Sequence, residues 1–128
     1  VQKPQVFDCI VCSNMFGDII SDLTGAISGS IGLAPSSNIN PERLYPSLFE
    51  PVHGSAPDIA GKNVANPVAA IRSAAMMLDF LGESEAAAMI ENIVESYLND
   101  QKFLTRDLGG NATTSEAGSE IIRRINSR

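Results

Sequence analysis

Asp18 and Asp22 stand four residues apart, a spacing that puts both carboxylates on one face of a helix. Two carboxylates this close repel when both ionise. A shared divalent cation removes that repulsion, and oxygen ligands suit Mg²⁺ or Mn²⁺. Asn14, Gly17 and Ser21, on the same side, are small or polar and leave room for a ligand. The alternative is a solvated helix face. Two carboxylates also leave an octahedral shell incomplete, so substrate, water or another acid must complete it.

The second chemical feature is the segment 48–67, LFEPVHGSAPDIAGKNVANP, which gathers Pro51, Pro57, Pro67 and the only histidine of the chain. Long irregular segments inside compact domains are uncommon and are usually functional, so this one reads as a loop shaped around a ligand. It is not a Walker A loop, because the interval from Gly54 to Gly61-Lys62 is two residues too long, and it is not GxGxxG. A Rossmann reading also needs a strand immediately before the loop, and Pro46 and Pro51 argue against one there. His53 is a base, a stacking surface or a core residue. Asp58 accepts hydrogen bonds from ribose hydroxyls, or it caps a turn over Gly61. Spacing alone does not choose.

Cys9 and Cys12 form a CxxC, but a zinc site needs about four ligands, and the chain has neither a second CxxC nor a histidine pair. On a strand, positions i and i+3 face opposite ways. Both are expected to be buried structural thiols in a reducing cytosol. The sequon at Asn111-Ala-Thr113 reads as chance, since residues 1–4 show no apolar leader.

These groups must be positioned by a chain of 128 residues, 44% apolar, which is enough for a real core. The net charge of −6 and scattered basic residues argue against a nucleic-acid partner. No apolar run approaches the roughly 20 residues of a membrane span. Residues 6–12 (VFDCIVC) read as a buried-type strand, and so abrupt an opening suggests a piece of a longer protein. A helix follows over 15–28, capped by Asn14, with Phe16, Ile20, Leu23 and Ile27 as its apolar stripe. Residues 29–32 break it, and 33–47 read as loop. Asn66 is the expected N-cap and Pro67 the first residue of a helix ending near Gly82, with Val68, Ile71, Ala75 and Leu78 buried. A second helix over 84–98 buries Ala87, Ile90, Val94 and Tyr97. Residues 103–108 read as a short strand, and Thr113 to Glu116 as a capping box opening a last helix with Ala117, Ile121 and Ile125. A lone strand makes no sheet, so further strands are expected from sequence outside this chain or from another subunit.

Two long motifs, SNMFGDIISDLTGAISGSIGLAPS (13–36) and FEPVHGSAPDIAGKNVANP (49–67), resemble the β-decarboxylating dehydrogenases, which include isopropylmalate, isocitrate, tartrate and D-malate dehydrogenases. The similarity runs from about residue 6 to the C-terminus. It implies an α/β chain, the C-terminal fragment of an isopropylmalate/isocitrate dehydrogenase-like fold. On this view residues 1–28 belong to a smaller, dimer-interface domain and residues 29–128 to a larger one. Asp18 and Asp22 match the aspartates that bind Mg²⁺ or Mn²⁺ with the substrate, and Asn14 sits near the catalytic centre. Residues 54–66 match the NAD-binding loop. Within it the resemblance gives cofactor contacts to Gly54, Ser55, Ala56, Pro57 and Ile59, with Glu50 and His53 just before. Asp58 faces the adenosine ribose and Asn66 lies near adenine. An acid at the ribose repels a 2′-phosphate, which favours NAD.

The NPER region, AIRSAAMMLDFLGE and GGNATTSEAGSEII look most like tartrate or D-malate dehydrogenases. The resemblance therefore implies NAD-dependent oxidation and decarboxylation of a small hydroxy dicarboxylic acid, by a cytoplasmic homodimer with no nucleic-acid or membrane partner. The family's catalytic tyrosine and lysine lie upstream of the matched region, and Tyr45 and Lys62 are not their equivalents. The isolated chain is expected to be inactive. The alternatives are a 3-isopropylmalate dehydrogenase fragment and a non-enzymatic nucleotide-binding module.

Overall fold

The computed structural model describes residues 1–127. Helix α1 spans Asn14–Ile27, α2 Val68–Leu81, α3 Ser84–Asp100 and α4 Thr114–Asn126. Strands β1 (Pro35–Asn38) and β2 (Leu48–Pro51) pair antiparallel, with Ser36 opposite Glu50 and Ser37 opposite Phe49. The chain is thus mixed α/β, with a small sheet laid on α2.

The core lies between α2, α3 and α4. Val68, Ile93, Val94, Tyr97, Ala117 and Ile121 are all at most 2% exposed. They recur at helical spacing, so each helix turns one apolar stripe inward. Gly82, at φ +96°, ends α2 in the left-handed conformation that glycine takes without steric cost, and α3 turns back two residues later. Arg72 ties the pair together through a salt bridge to Glu91 at 3.0 Å, and it also donates to the Leu33 carbonyl at 3.1 Å. The sheet reaches α2 through Phe49, whose ring lies 5.7 Å from that of Phe80. Arg43 stacks over Phe80 at 4.7 Å and donates to its carbonyl, pinning the β1–β2 connection to the end of α2.

Several expectations are corrected. Residues 6–12 are not a strand: a short 3₁₀ turn covers Pro4–Val6, and the rest is irregular and exposed. No described strand lies beside this segment, and an apolar strand forms only against neighbours. Cys9 and Cys12 are accordingly exposed rather than buried. The stripe of α1 is also largely uncovered, with Phe16, Leu23 and Ile27 between 43% and 55% exposed.

Residues 103–108 are not a strand either. The Phe103 carbonyl accepts from the Tyr97 hydroxyl at 2.5 Å, and Arg106–Leu108 closes a 3₁₀ turn. In the opposite sense, strands occur where loop was expected. β1 lies inside 33–47, and β2 opens the 48–66 segment despite Pro51. Pro51 is the last residue of β2 and the partner of Pro35, so the two prolines sit together at one end of the ladder, where a missing N–H is tolerated. Finally, Ser13 rather than Asn14 is the N-cap residue of α1, and Asn14 begins the helix.

Candidate functional site

The loop after β2 is shaped by turns rather than by a ladder. Ile59 N–H donates to the Ala56 carbonyl at 3.0 Å, and Lys62 N–H to that of Ile59 at 3.1 Å. Its exit is fixed by Asn66, which is 8% exposed and whose Oδ1 accepts from Val68 N–H at 3.0 Å. The N-cap residue of α2 is therefore Pro67 and the helix begins at Val68, one residue later than expected, while Asn66 satisfies the first helical N–H from just before the cap.

One side of the loop borders a cleft of about 320 Å³ lined by Ser30, Ile31 and Gly32 behind α1, by His53, Ile59 and Val64 to Asn66, and by Arg106 and Asp107. A mostly apolar concavity with a few polar groups is the ordinary form of a small-molecule site, and about 300 Å³ is its lower size limit. A second cleft, of about 360 Å³, lies along Ser55, Ala56, Gly61, Asn63 and Thr114. Ile59, Val64 and Ala65 line both.

Asp107 organises the first cleft. Its Oδ2 accepts from Ser30 Oγ at 2.5 Å and from Asn66 Nδ2 at 2.9 Å, and its Oδ1 accepts from Thr105 Oγ1 at 2.6 Å. Partial burial, the largest single influence, pushes the Asp107 carboxyl up. The donors Ser30, Thr105 and Asn66 together outweigh it and hold the carboxyl below its ordinary value. Asp107 therefore stays ionised and fixes the Asn66 amide. Gly32 passes so close that a Cβ there would lie 2.9 Å from both Asn66 Cβ and Asp107 Oδ2. Ser30, Gly32, Thr105 and Asp107 escaped the sequence reading, which took 103–108 for a strand. The pattern Thr-x-Asp-x-Gly-Gly at 105–110 is a turn signal that pointed the other way.

His53 Nδ1 lies 3.0 Å from the Gly54 carbonyl. A carbonyl only accepts, so this contact is a hydrogen bond in the forms of the ring that carry a proton on Nδ1. Asp58 is exposed on the turn and lines neither cleft, as do Gly54 and Pro57, while Glu50 is exposed on β2.

Asp18 and Asp22 are exposed one turn apart on α1, with Asn14 at the helix start. They also lie outside both clefts. Among the described residues, no group of three or more His, Cys, Asp or Glu is placed to hold a metal ion. The aspartate pair therefore fits a cation only as part of a shell.

Residues 1–121 match the family model described as isocitrate/isopropylmalate dehydrogenase. The chain belongs to that family. It is 53% identical over 125 residues to a Bacillus subtilis protein named probable tartrate dehydrogenase/decarboxylase, covering 98% of this chain and 35% of that protein. It is 54% identical over 125 residues to a Methanocaldococcus jannaschii protein named 3-isopropylmalate/3-methylmalate dehydrogenase, covering 98% and 36%. The fold aligns with the crystal structure of isocitrate dehydrogenase from Methylococcus capsulatus at a TM-score of 0.90 and 43% identity, over 96% of this chain and 36% of that one. The chain thus spans about a third of the length of the relatives it matches. Within an isocitrate/isopropylmalate dehydrogenase-like architecture, the missing GxGxxG is expected. No helix among the described residues is long and apolar enough to cross a membrane.

Proposed function

We propose that the chain is the C-terminal part of a decarboxylating dehydrogenase that oxidises a small hydroxy acid, tartrate or D-malate, with NAD and Mg²⁺ or Mn²⁺. The observation that carries this reading is the loop: part of the segment that matches the family's cofactor motif lines a cleft at the small end of the range for such sites, with Ile59 and Val64 as apolar groups and Asn66 as a polar one fixed by Asp107. When bound, NAD supplies the hydride acceptor and the cation supplies positive charge for the substrate's oxygens.

The chain's own residues divide the remaining tasks. Asp18 and Asp22 hold two carboxylates one turn apart as part of the cation's shell, and Asn14 lies near the reacting centre. Asn66, held by Asp107, presents a fixed amide toward adenine. Asp58 places an acid at the ribose, where it accepts hydroxyl hydrogen bonds and repels a 2′-phosphate. Glu50, His53, Gly54, Ser55, Ala56, Pro57 and Ile59 complete the cofactor side. The proton-transfer groups are assigned to the rest of the complete protein, which acts as a cytoplasmic homodimer. Residues 1–28 belong to its smaller domain and residues 29–128 to its larger one.

The 54% identity to the 3-isopropylmalate/3-methylmalate dehydrogenase favours a second acid as substrate. The test is a steady-state assay of the complete protein with NAD, Mn²⁺ and each acid in turn. Turnover of tartrate or D-malate above isopropylmalate is expected, and the reverse order selects the second reading. NAD binding without turnover of any acid leaves a nucleotide-binding module. Asp58→Lys is expected to shrink the preference for NAD over NADP by at least about tenfold, since like charge at the ribose is replaced by opposite charge. Unchanged discrimination removes Asp58 from the ribose site.

A further inference from the structure

The limb of the loop leaving Gly61 is fastened to the first turn of α4, 52 positions later in the chain. Thr114 N–H donates to the Asn63 carbonyl at 3.0 Å. Ser115 N–H and Ser115 Oγ both donate to Asn63 Oδ1, at 3.1 and 2.9 Å. Thr114 Oγ1 donates to the Ala65 carbonyl at 2.6 Å. The other first-turn donors of α4 turn inward, Glu116 N–H to Thr113 Oγ1 at 3.2 Å and Ala117 N–H to the Thr113 carbonyl at 3.0 Å. A helix begins with four unpaired N–H groups, and here two of them are spent on Asn63. The partly positive end of α4 therefore grips the loop instead of lying open to a ligand.

Asn63 is suited to this in two separable ways. It sits at φ +55°, a left-handed conformation that glycine adopts readily and asparagine tolerates. It also supplies the Oδ1 acceptor. Glycine meets the first requirement and not the second.

We propose that Asn63 is a positioning residue for cofactor binding: by docking the loop on α4 it holds Ile59 and Val64 at the cleft before NAD arrives. The proposal rests on the reading of this loop as the NAD site. The loop has few bonds of its own, so its order comes from its anchors, and order present beforehand is not lost on binding. Asn63 itself touches no cofactor in this account.

The test uses the complete dehydrogenase with Asn63→Gly, Asn63→Asp and Ser115→Ala. Asn63→Gly is expected to raise KM for NAD about tenfold, the cost of the lost side-chain bonds, while kcat stays within about twofold. Asn63→Asp keeps the acceptor and places an anion at a helix start, so it should restore KM. Ser115→Ala should fall between. Hydrogen exchange at the Ile59 and Lys62 amides, read in parallel, should quicken in Asn63→Gly and return in Asn63→Asp. Unchanged exchange overturns the clamp whatever the activity. A wild-type KM in Asn63→Gly, an Asn63→Asp variant as impaired as Asn63→Gly, or equal losses in kcat and in KM for both substrates overturns the positioning role. Absence of NAD turnover in the wild type, with quickened exchange in Asn63→Gly, sinks the NAD reading and the cofactor half of the proposal together.

Discussion

At the scale of single residues, the cleft beside the loop depends on how closely Gly32 approaches Asn66 and Asp107. A methyl group there would press on the Asn66 Cβ and the Asp107 carboxylate at 2.9 Å, and on Ser30 Oγ at 3.1 Å. All three neighbours belong to one hydrogen-bonded set, so none can yield alone. Gly32→Ala should therefore destabilise the protein by about 1–3 kcal/mol, as overpacking does. At Gly118, in α4, a methyl group would meet nothing within 4 Å, so Gly118→Ala should instead stabilise by up to about 1 kcal/mol. Denaturant midpoints of the two variants check the pair; a Gly32→Ala midpoint equal to the wild type refutes the close approach. This part of the site was hidden in the sequence because its members are remote from one another. Asp107 lies 41 positions from Asn66 and 77 from Ser30, and nothing local in TRDLGG reports that contact.

At the scale of elements, α4 is held to α3 through charge. Glu120 accepts from Arg123 Nε and Nη2 at 2.8 and 2.7 Å and from Arg124 Nε at 2.8 Å, and Arg124 goes on to Asp100 at 2.7 Å. Hydrogen bonds from Arg123 and then Arg124 lower the Glu120 carboxyl from 4.5 to about 2. A carboxyl lowered in the folded state adds stability that is complete above its unfolded value and is lost as pH falls through its folded one. The wild type should therefore lose stability between about pH 4.5 and pH 2. Glu120→Gln should flatten that window and be less stable at neutral pH. Denaturation midpoints across that range decide it, and a parallel decline in both proteins counts against the network. Arg123 is 66% exposed against 14% for Arg124, so water screens its bond more, and Arg124→Ala should cost more than Arg123→Ala.

The helices were legible because each carries its own periodicity and punctuation: Gly82 after α2, Thr113 with Glu116 before α4, and Asn66 before α2. The strands were not. β1 is Pro-Ser-Ser-Asn, a run with little strand preference, and it forms because β2 pairs with it and Phe49 anchors the sheet on α2. Residues 6–12 have the opposite character, an apolar run with no described partner. In both cases pairing decided, and pairing is not written in the strand itself.

At the scale of the whole molecule, the described chain has two unlike halves. Residues 30–127 carry the buried core and the loop clefts, whereas α1 and the segment before it leave large apolar side chains in contact with water, Val11 at 94% and Phe7 at 61% among them. Asp18 and Asp22 ride on the uncovered half and the 48–66 loop on the other, so the two sides of the proposed reaction are joined in this chain through the turn at 28–33. The exposure of Cys9 and Cys12 turns that contrast into a chemical readout. In the 128-residue chain both thiols should react with Ellman's reagent at the rate of free cysteine, without denaturant. Slow or partial labelling would show the segment covered. In the complete protein the same reaction, compared with that of the 128-residue chain, shows whether residues 9–12 are covered there, so two ordinary sulfurs report on the half that carries Asp18 and Asp22 without any added probe.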